Sequence, residues 1–109
     1  MSAEKIRELN DQLRTSFNPA YGKVVMTPGV AALPDHRRIE LIRKVQTFTA
    51  FSEDNDPHQE HDFVPVEMGG VKYYAKLDYY DVNMMFGSDD PADSAKTTRV
   101  LTLMRADEY

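Results

Sequence analysis

The double glycine Gly69-Gly70 constrains this chain more than any other feature. Phe63, Val64 and Val66 precede it, and Val71, Tyr73, Tyr74, Ala75 and Leu77 follow it. Two β-type runs joined by two residues that accept positive φ predict a hairpin. Tyr73, Ala75, Leu77 and Tyr79 alternate with Lys72, Tyr74, Lys76, Asp78 and Tyr80. One face of that strand is therefore packed, and the other is polar with tyrosine. Residues equidistant from a tight turn become partners, so Asp78 falls opposite residue 61 and Asp81 just beyond the ladder.

Helical spacing governs the first segment, where Ile6, Leu9, Leu13 and Phe17 recur on one stripe. Asn18, Pro19 and Gly22 break it, and Lys23 to Thr27 has the β-branched content of a buried strand that ends in the turn Thr27-Pro28-Gly29. Pro34-Asp35 signals a second helix. It carries Ile39, Leu41, Ile42, Val45 and Phe48 on one broad apolar face and is expected to end near Phe51. Ser52 to Pro57 reads as a surface loop, Val82 to Phe86 as a further short strand, and residues 87–91 as a turn. Residues 96–106 have strand-favouring threonines, but Val100, Leu101, Met104 and Glu108 follow helical spacing, and a helix is the expectation. The resulting order is a single α+β domain over residues 1–109. It has a small antiparallel sheet of three to four strands and helices packed mainly on one face.

The chain is 109 residues long with no cysteine, which excludes disulfides, thiolate metal sites and thiol nucleophiles. Its apolar runs are only a few residues long and its N-terminus is polar, so neither a membrane span nor a secretory signal is expected, and the expected address is cytoplasmic. The formal charge of −5 argues against direct binding of nucleic acid through phosphate neutralisation. That charge is unevenly placed. Residues 1–50 carry +3 and residues 51–109 carry −8, which puts the second half forward as a surface for a cation, a basic partner or carboxylate chemistry.

The densest polar stretch is residues 53–62, with five carboxylates and two histidines. Asp54 and Asp56 alternate as calcium ligands do, but His58, Gln59 and Pro65 stand where an EF-hand needs an oxygen ligand, a glycine and a glutamate. His58 and His61 are candidate transition-metal ligands, and the HExxH signature is absent. Glu60, His61, Asp62 and Asp78 are candidate acid/base residues, since hairpin pairing brings His61 or its neighbours towards Asp78 and a carboxylate can orient an imidazole. The bland alternative is structural: Asp and Asn satisfy turns and His61 fastens the mouth of the hairpin. Tyr79 and Tyr80 beside Asp78 and Asp81 resemble a protein-binding patch. Met84 and Met85 are assigned to core packing.

The blocks EDNDPHQEHDF, KLDYYD, FGSDDPAD and TTRVLTLMRADEY, preceded by VVMTPGVAALP, resemble a family of short bacterial proteins, the domain-of-unknown-function 3768 family. The resemblance spans nearly the whole chain and implies no activity or cofactor. Its characteristic blocks fall on Asp54, Asn55, Asp56, Glu60, His61, Asp62 and Phe63, and on Asp78, Tyr79, Tyr80 and Asp81. This chain departs from it at Tyr74-Ala75-Lys76 and at Met84-Met85, where the family tends towards Leu-Glu.

Charge asymmetry and the lack of a standard catalytic motif favour binding over catalysis. The leading expectation is an interaction or regulatory protein, without a cofactor or a membrane partner, that meets the basic surface of another protein through Asp54, Asp56, Asp78, Tyr79, Tyr80 and Asp81. One form of it is an acidic mimic of nucleic acid, for which −5 is a modest charge. The alternative is a metal-dependent or acid/base enzyme centred on Glu60, His61, Asp62 and Asp78.

Overall fold

The computed structural model describes residues 2–109. Helix α1 (Ser2–Ser16) buries Ile6 and Leu13, and on the same side Asn10 and Arg14. Gly22 follows because a side chain would not fit: a Cβ there would lie 2.7 Å from the Arg99 carbonyl oxygen and 2.8 Å from a Leu13 methyl. Strand β1 (Lys23–Met26) leads through Thr27 into α2 (Pro28–Ala31), a single turn with proline at its start. Helix α3 (Asp35–Gln46) buries Leu41 and Val45. It stops at Gln46 rather than near Phe51, and Ile39 on its expected apolar face is exposed.

The predicted hairpin is present. Strands β2 (Phe63–Met68) and β3 (Val71–Tyr80) pair antiparallel with Met68 opposite Val71, across Gly69 and Gly70 at φ 60° and 78°. Two successive positive φ values match the twist of a two-residue hairpin, and only glycine adopts them without steric cost. Leu77 N–H donates to the Asp62 carbonyl at 2.9 Å, which carries the predicted register to the foot of the ladder.

Three expectations are corrected. Residues 98–105 form strand β4 (Thr98–Arg105), not a helix. Val82 to Phe86 is a turn rather than a strand; it closes where Asp81 N–H meets the Phe86 carbonyl at 2.8 Å and Tyr80 bridges Gly87. The sheet is mixed rather than antiparallel, in the order β1-β4-β3-β2, with β1 parallel to β4 and the other pairs antiparallel. The class is α+β all the same. Leu13, Val30, Leu41 and Val45 of the helices cluster with Val64, Tyr73, Ala75, Leu77, Leu101 and Leu103. Register places these strand residues on one side of the sheet, so the helices share a face as expected. The other face carries Phe63, Tyr74 and Tyr109 in mutual ring contact.

A short 3-10 turn (Ala106–Glu108) follows β4. The Glu108 carboxylate accepts from the Thr27 hydroxyl (2.6 Å), Arg105 N–H (2.9 Å) and Gly29 N–H (2.8 Å). These donors hold its carboxyl below the ordinary carboxylate range and tie α2 to the end of β4.

Candidate functional site

Two acidic stretches of the second half fold in opposite ways. The first, residues 53–62, wraps against α1. Gln59 and His61 both take left-handed backbone, at φ 59° and 54°, a conformation unfavourable for side chains with a Cβ and held only where the surroundings over-determine it. His61 Nδ1 contacts the Asp11 carboxylate of α1 at 2.9 and 3.1 Å. Its Nε2 faces Asp56 Oδ2 at 3.7 Å, and Asp56 Oδ1 accepts from the His61 N–H at 3.0 Å. The imidazole stacks on Phe51 with a centroid separation of 3.7 Å. Arg14 completes this layer: its guanidinium pairs with Asp11 (3.0 Å), donates to the carbonyls of Val45 (2.9 Å) and Phe48 (3.2 Å), and lies over Phe51. It thereby satisfies carbonyls at and just beyond the C-terminal end of α3.

A second network lies one turn back along α1. Asn10 is fully buried; its Nδ2 donates to the Glu60 carbonyl (3.0 Å) and the Tyr79 hydroxyl oxygen (2.8 Å), and its Oδ1 accepts from Arg99 Nε (2.9 Å). The Tyr79 hydroxyl donates to the Glu60 carboxylate at 2.9 Å. Arg99 also donates to the Pro91 carbonyl and stands 5.4 Å from the Tyr79 ring centroid. Burial pushes the Tyr79 phenol well above its ordinary value and the Arg99 guanidinium below its own.

The sequence-predicted residues therefore separate. Glu60 and Tyr79 belong to the Asn10 network, and His61 and Asp56 to the Asp11 layer. Asp62 lies on the hairpin, its carboxyl pushed above the ordinary range by burial and by the charges of Asp56 and Asp78. Asp78 pairs with Lys76 at 3.4 Å. Register sets residue 61 across from Asp78, but the left-handed turn at His61 delivers its ring to α1 instead. The two histidines also diverge. His58 lines a shallow cavity with Asp62, Phe63, Lys76 and Tyr109, whereas His61 lines one with Arg7, Phe51 and Glu53. Among the described residues, no group of three or more His, Cys, Asp or Glu side chains is arranged to hold a metal. Asp54 stays exposed.

The second acidic stretch faces outward. Asp81 organises the turn that follows β3: its carbonyl accepts from Met84 N–H (3.0 Å) and its carboxylate from Met85 N–H (3.0 Å). Met84 is left-handed at φ 59°. The turn presents Val82, Met84, Met85 and Phe86, which are 58%, 40%, 72% and 70% exposed. The assignment of Met84 and Met85 to the core is thus corrected, because the short turn lifts them off the sheet. Asp89 and Asp90 follow, exposed and without an ion pair among the described residues. The loop is ordered beneath them, with Ser88 Oγ 2.7 Å from Thr97 Oγ1, which donates to the Asp90 carbonyl at 2.9 Å.

Sequence reasoning missed Asn10, Asp11, Arg14 and Arg99. Asn10 had a signal, since it sits four residues after Ile6 and three before Leu13, inside the apolar stripe of α1. A polar residue at such a position needs buried partners. No curated protein and no solved structure matches the chain. Residues 26–108 match the model of the family described as "Protein of unknown function (DUF3768)". The matched stretch holds both acidic regions, while Asn10, Asp11 and Arg14 lie before it. The chain belongs to the DUF3768 family.

Proposed function

We propose that this protein is an interaction protein that meets a basic partner protein through the acidic, apolar-tipped turn between β3 and β4. One observation carries the reading: four large apolar side chains stand in water on a hydrogen-bonded turn, followed by the unpaired carboxylates of Asp89 and Asp90. Exposed contiguous apolar surface with a charged border is characteristic of protein-binding sites. Methionine and phenylalanine supply adaptable contact area, and the carboxylates select and steer a cationic partner. The apolar tip favours a protein partner over simple mimicry of nucleic acid, which needs charge without such a tip.

The surface used differs from the one expected from sequence. Asp56 and Tyr79 are engaged internally, so the contact residues shift to Asp81, Met84, Met85, Phe86, Asp89 and Asp90. The acid/base reading has weaker support, because both ring nitrogens of His61 face carboxylates of the chain itself and neither is turned to a substrate.

The test compares immobilised wild type, a Met85→Ser/Phe86→Ser variant and an Asp89→Asn/Asp90→Asn variant in a lysate of the cell that makes the protein. A basic protein retained by wild type, released by salt and lost from both variants is the expected result. Identical retention by all three would overturn the reading.

A further inference from the structure

A cavity of about 440 Å³ lies where α1 passes the starts of β1 and β4, within the usual size range of small-molecule sites. In a chain of net charge −5, none of its lining residues is acidic and two are cationic, Lys23 and Arg99. Leu9, Pro19 and Ala20 form an apolar wall, while Gln12, Tyr21 and Thr98 bring polar groups with no side-chain hydrogen bond elsewhere among the described residues. Lys23 likewise has no ion pair among them.

Arg99 is the decisive group. The residue is 2% exposed, yet no carboxylate lies within salt-bridge distance of it. Two of its nitrogens are committed, Nε to Asn10 and Nη2 to the Pro91 carbonyl. Nη1 has no protein partner, and it is not sealed in: Arg14 Nε is the lone fully buried side-chain nitrogen or oxygen without a partner among the described residues. A guanidinium fixed on two sides, with its third nitrogen uncommitted, belonging to a residue that lines a cavity free of carboxylates, is pre-organised for an oxyanion.

We propose that this cavity binds a small organic anion, with Arg99 Nη1 and Lys23 Nζ meeting its carboxylate or phosphate oxygens and its apolar body against Leu9, Pro19 and Ala20. Gly22 keeps the cavity floor thin, since the backbone there passes directly against Arg99. This site shares no residue with the exposed turn, although two of its lining residues, Thr97 and Arg99, donate to the carbonyls of Asp90 and Pro91 in the loop that follows it.

The full chain is titrated with benzoate, phenyl phosphate and, as a cationic control, benzylamine, and followed by NMR. Millimolar or tighter binding of at least one of the two anions is expected, with shifts at the Gly22, Lys23 and Thr98 amides and at the Arg99 guanidinium N–H resonances. Benzylamine should leave them unmoved. Benzoate and phenyl phosphate separate planar carboxylate from phosphate recognition. Lys23→Gln changes an exposed side chain and should weaken binding about tenfold, the loss of one charge-assisted contact. Silence of these resonances with both anions, equal response to benzylamine, or an unchanged affinity in Lys23→Gln would overturn the proposal.

Discussion

Residues 53–62 and residues 78–90 are both acidic, yet the chain uses them oppositely. In the first stretch, Glu60 and His61 are held by groups outside it, Asn10 and Asp11 of α1, Phe51 and the Tyr79 hydroxyl, while Asp56 is bonded locally to the His61 N–H. In the second, Asp81 bonds to its own turn and the apolar residues beside it go uncovered. Carboxylate density alone does not reveal a surface. Whether another element of the fold arrives with matching donors decides whether the charge becomes internal structure or stays available to something else.

The sharpest way to break this contrast is to remove what holds the first stretch. Asn10→Ala leaves Arg99 Nε, the Tyr79 hydroxyl and the Glu60 carbonyl each short of a buried partner, and should cost about 3 kcal/mol in urea unfolding. A loss below about 1 kcal/mol would mean that the network is not buried in solution. Next in size, His61→Ala should cost about 2 kcal/mol through lost stacking and lost contacts to Asp11. His61→Gly should be the more stable of the two by a few tenths to about 1 kcal/mol, because glycine relieves the left-handed backbone. The reverse order would place His61 in ordinary backbone. By contrast Met85→Ser/Phe86→Ser should shift stability by no more than about 0.5 kcal/mol, since the side chains it removes are already in water. A larger loss would show that the turn is packed.

The smallest effects are read from the pH dependence of stability. Glu108 is held below the ordinary carboxylate range in the folded chain, so its ionised form favours folding. Its contribution is present above the ordinary range and is lost as pH falls through the folded value. Glu108→Gln should therefore be less stable than wild type at neutral pH, where the carboxylate is ionised, and converge with it as pH falls through the folded value, which flattens the acid limb of the profile. Asp62 has the opposite sign. Its raised carboxyl favours the protonated folded state below the ordinary range, an advantage lost as pH rises through the folded value. Asp62→Asn should accordingly gain relative to wild type as pH rises through that window.

The hairpin was legible because its evidence is local: two glycines, a period of two and a register that follows by counting. Strand β4 was not, because it lies between β1 and β3 with Val100 and Met104 buried on one face and Leu101 and Leu103 on the other. A strand buried on both sides loses its alternation, and a continuous apolar run then matches helical spacing by accident. The parallel pairing of β1 with β4 leaves no local trace either, as its partners stand 77 positions apart, Lys23 with Val100. The inward turning of His61 rests on one left-handed residue and one aspartate on a distant helix, neither of which has a pattern to read. Charge asymmetry was legible, and it named the half of the molecule that carries the exposed turn together with several residues that the fold engages internally.

The central position of β4 also governs the order in which the molecule can assemble. Until residues 98–105 have been made, β1 has no neighbour and only the hairpin can exist as sheet. Closure then requires a contact across most of the chain, which slows folding relative to the helical and hairpin steps. During synthesis the edges of β1 and β3 stay open until a single late segment enters between them and joins both at once.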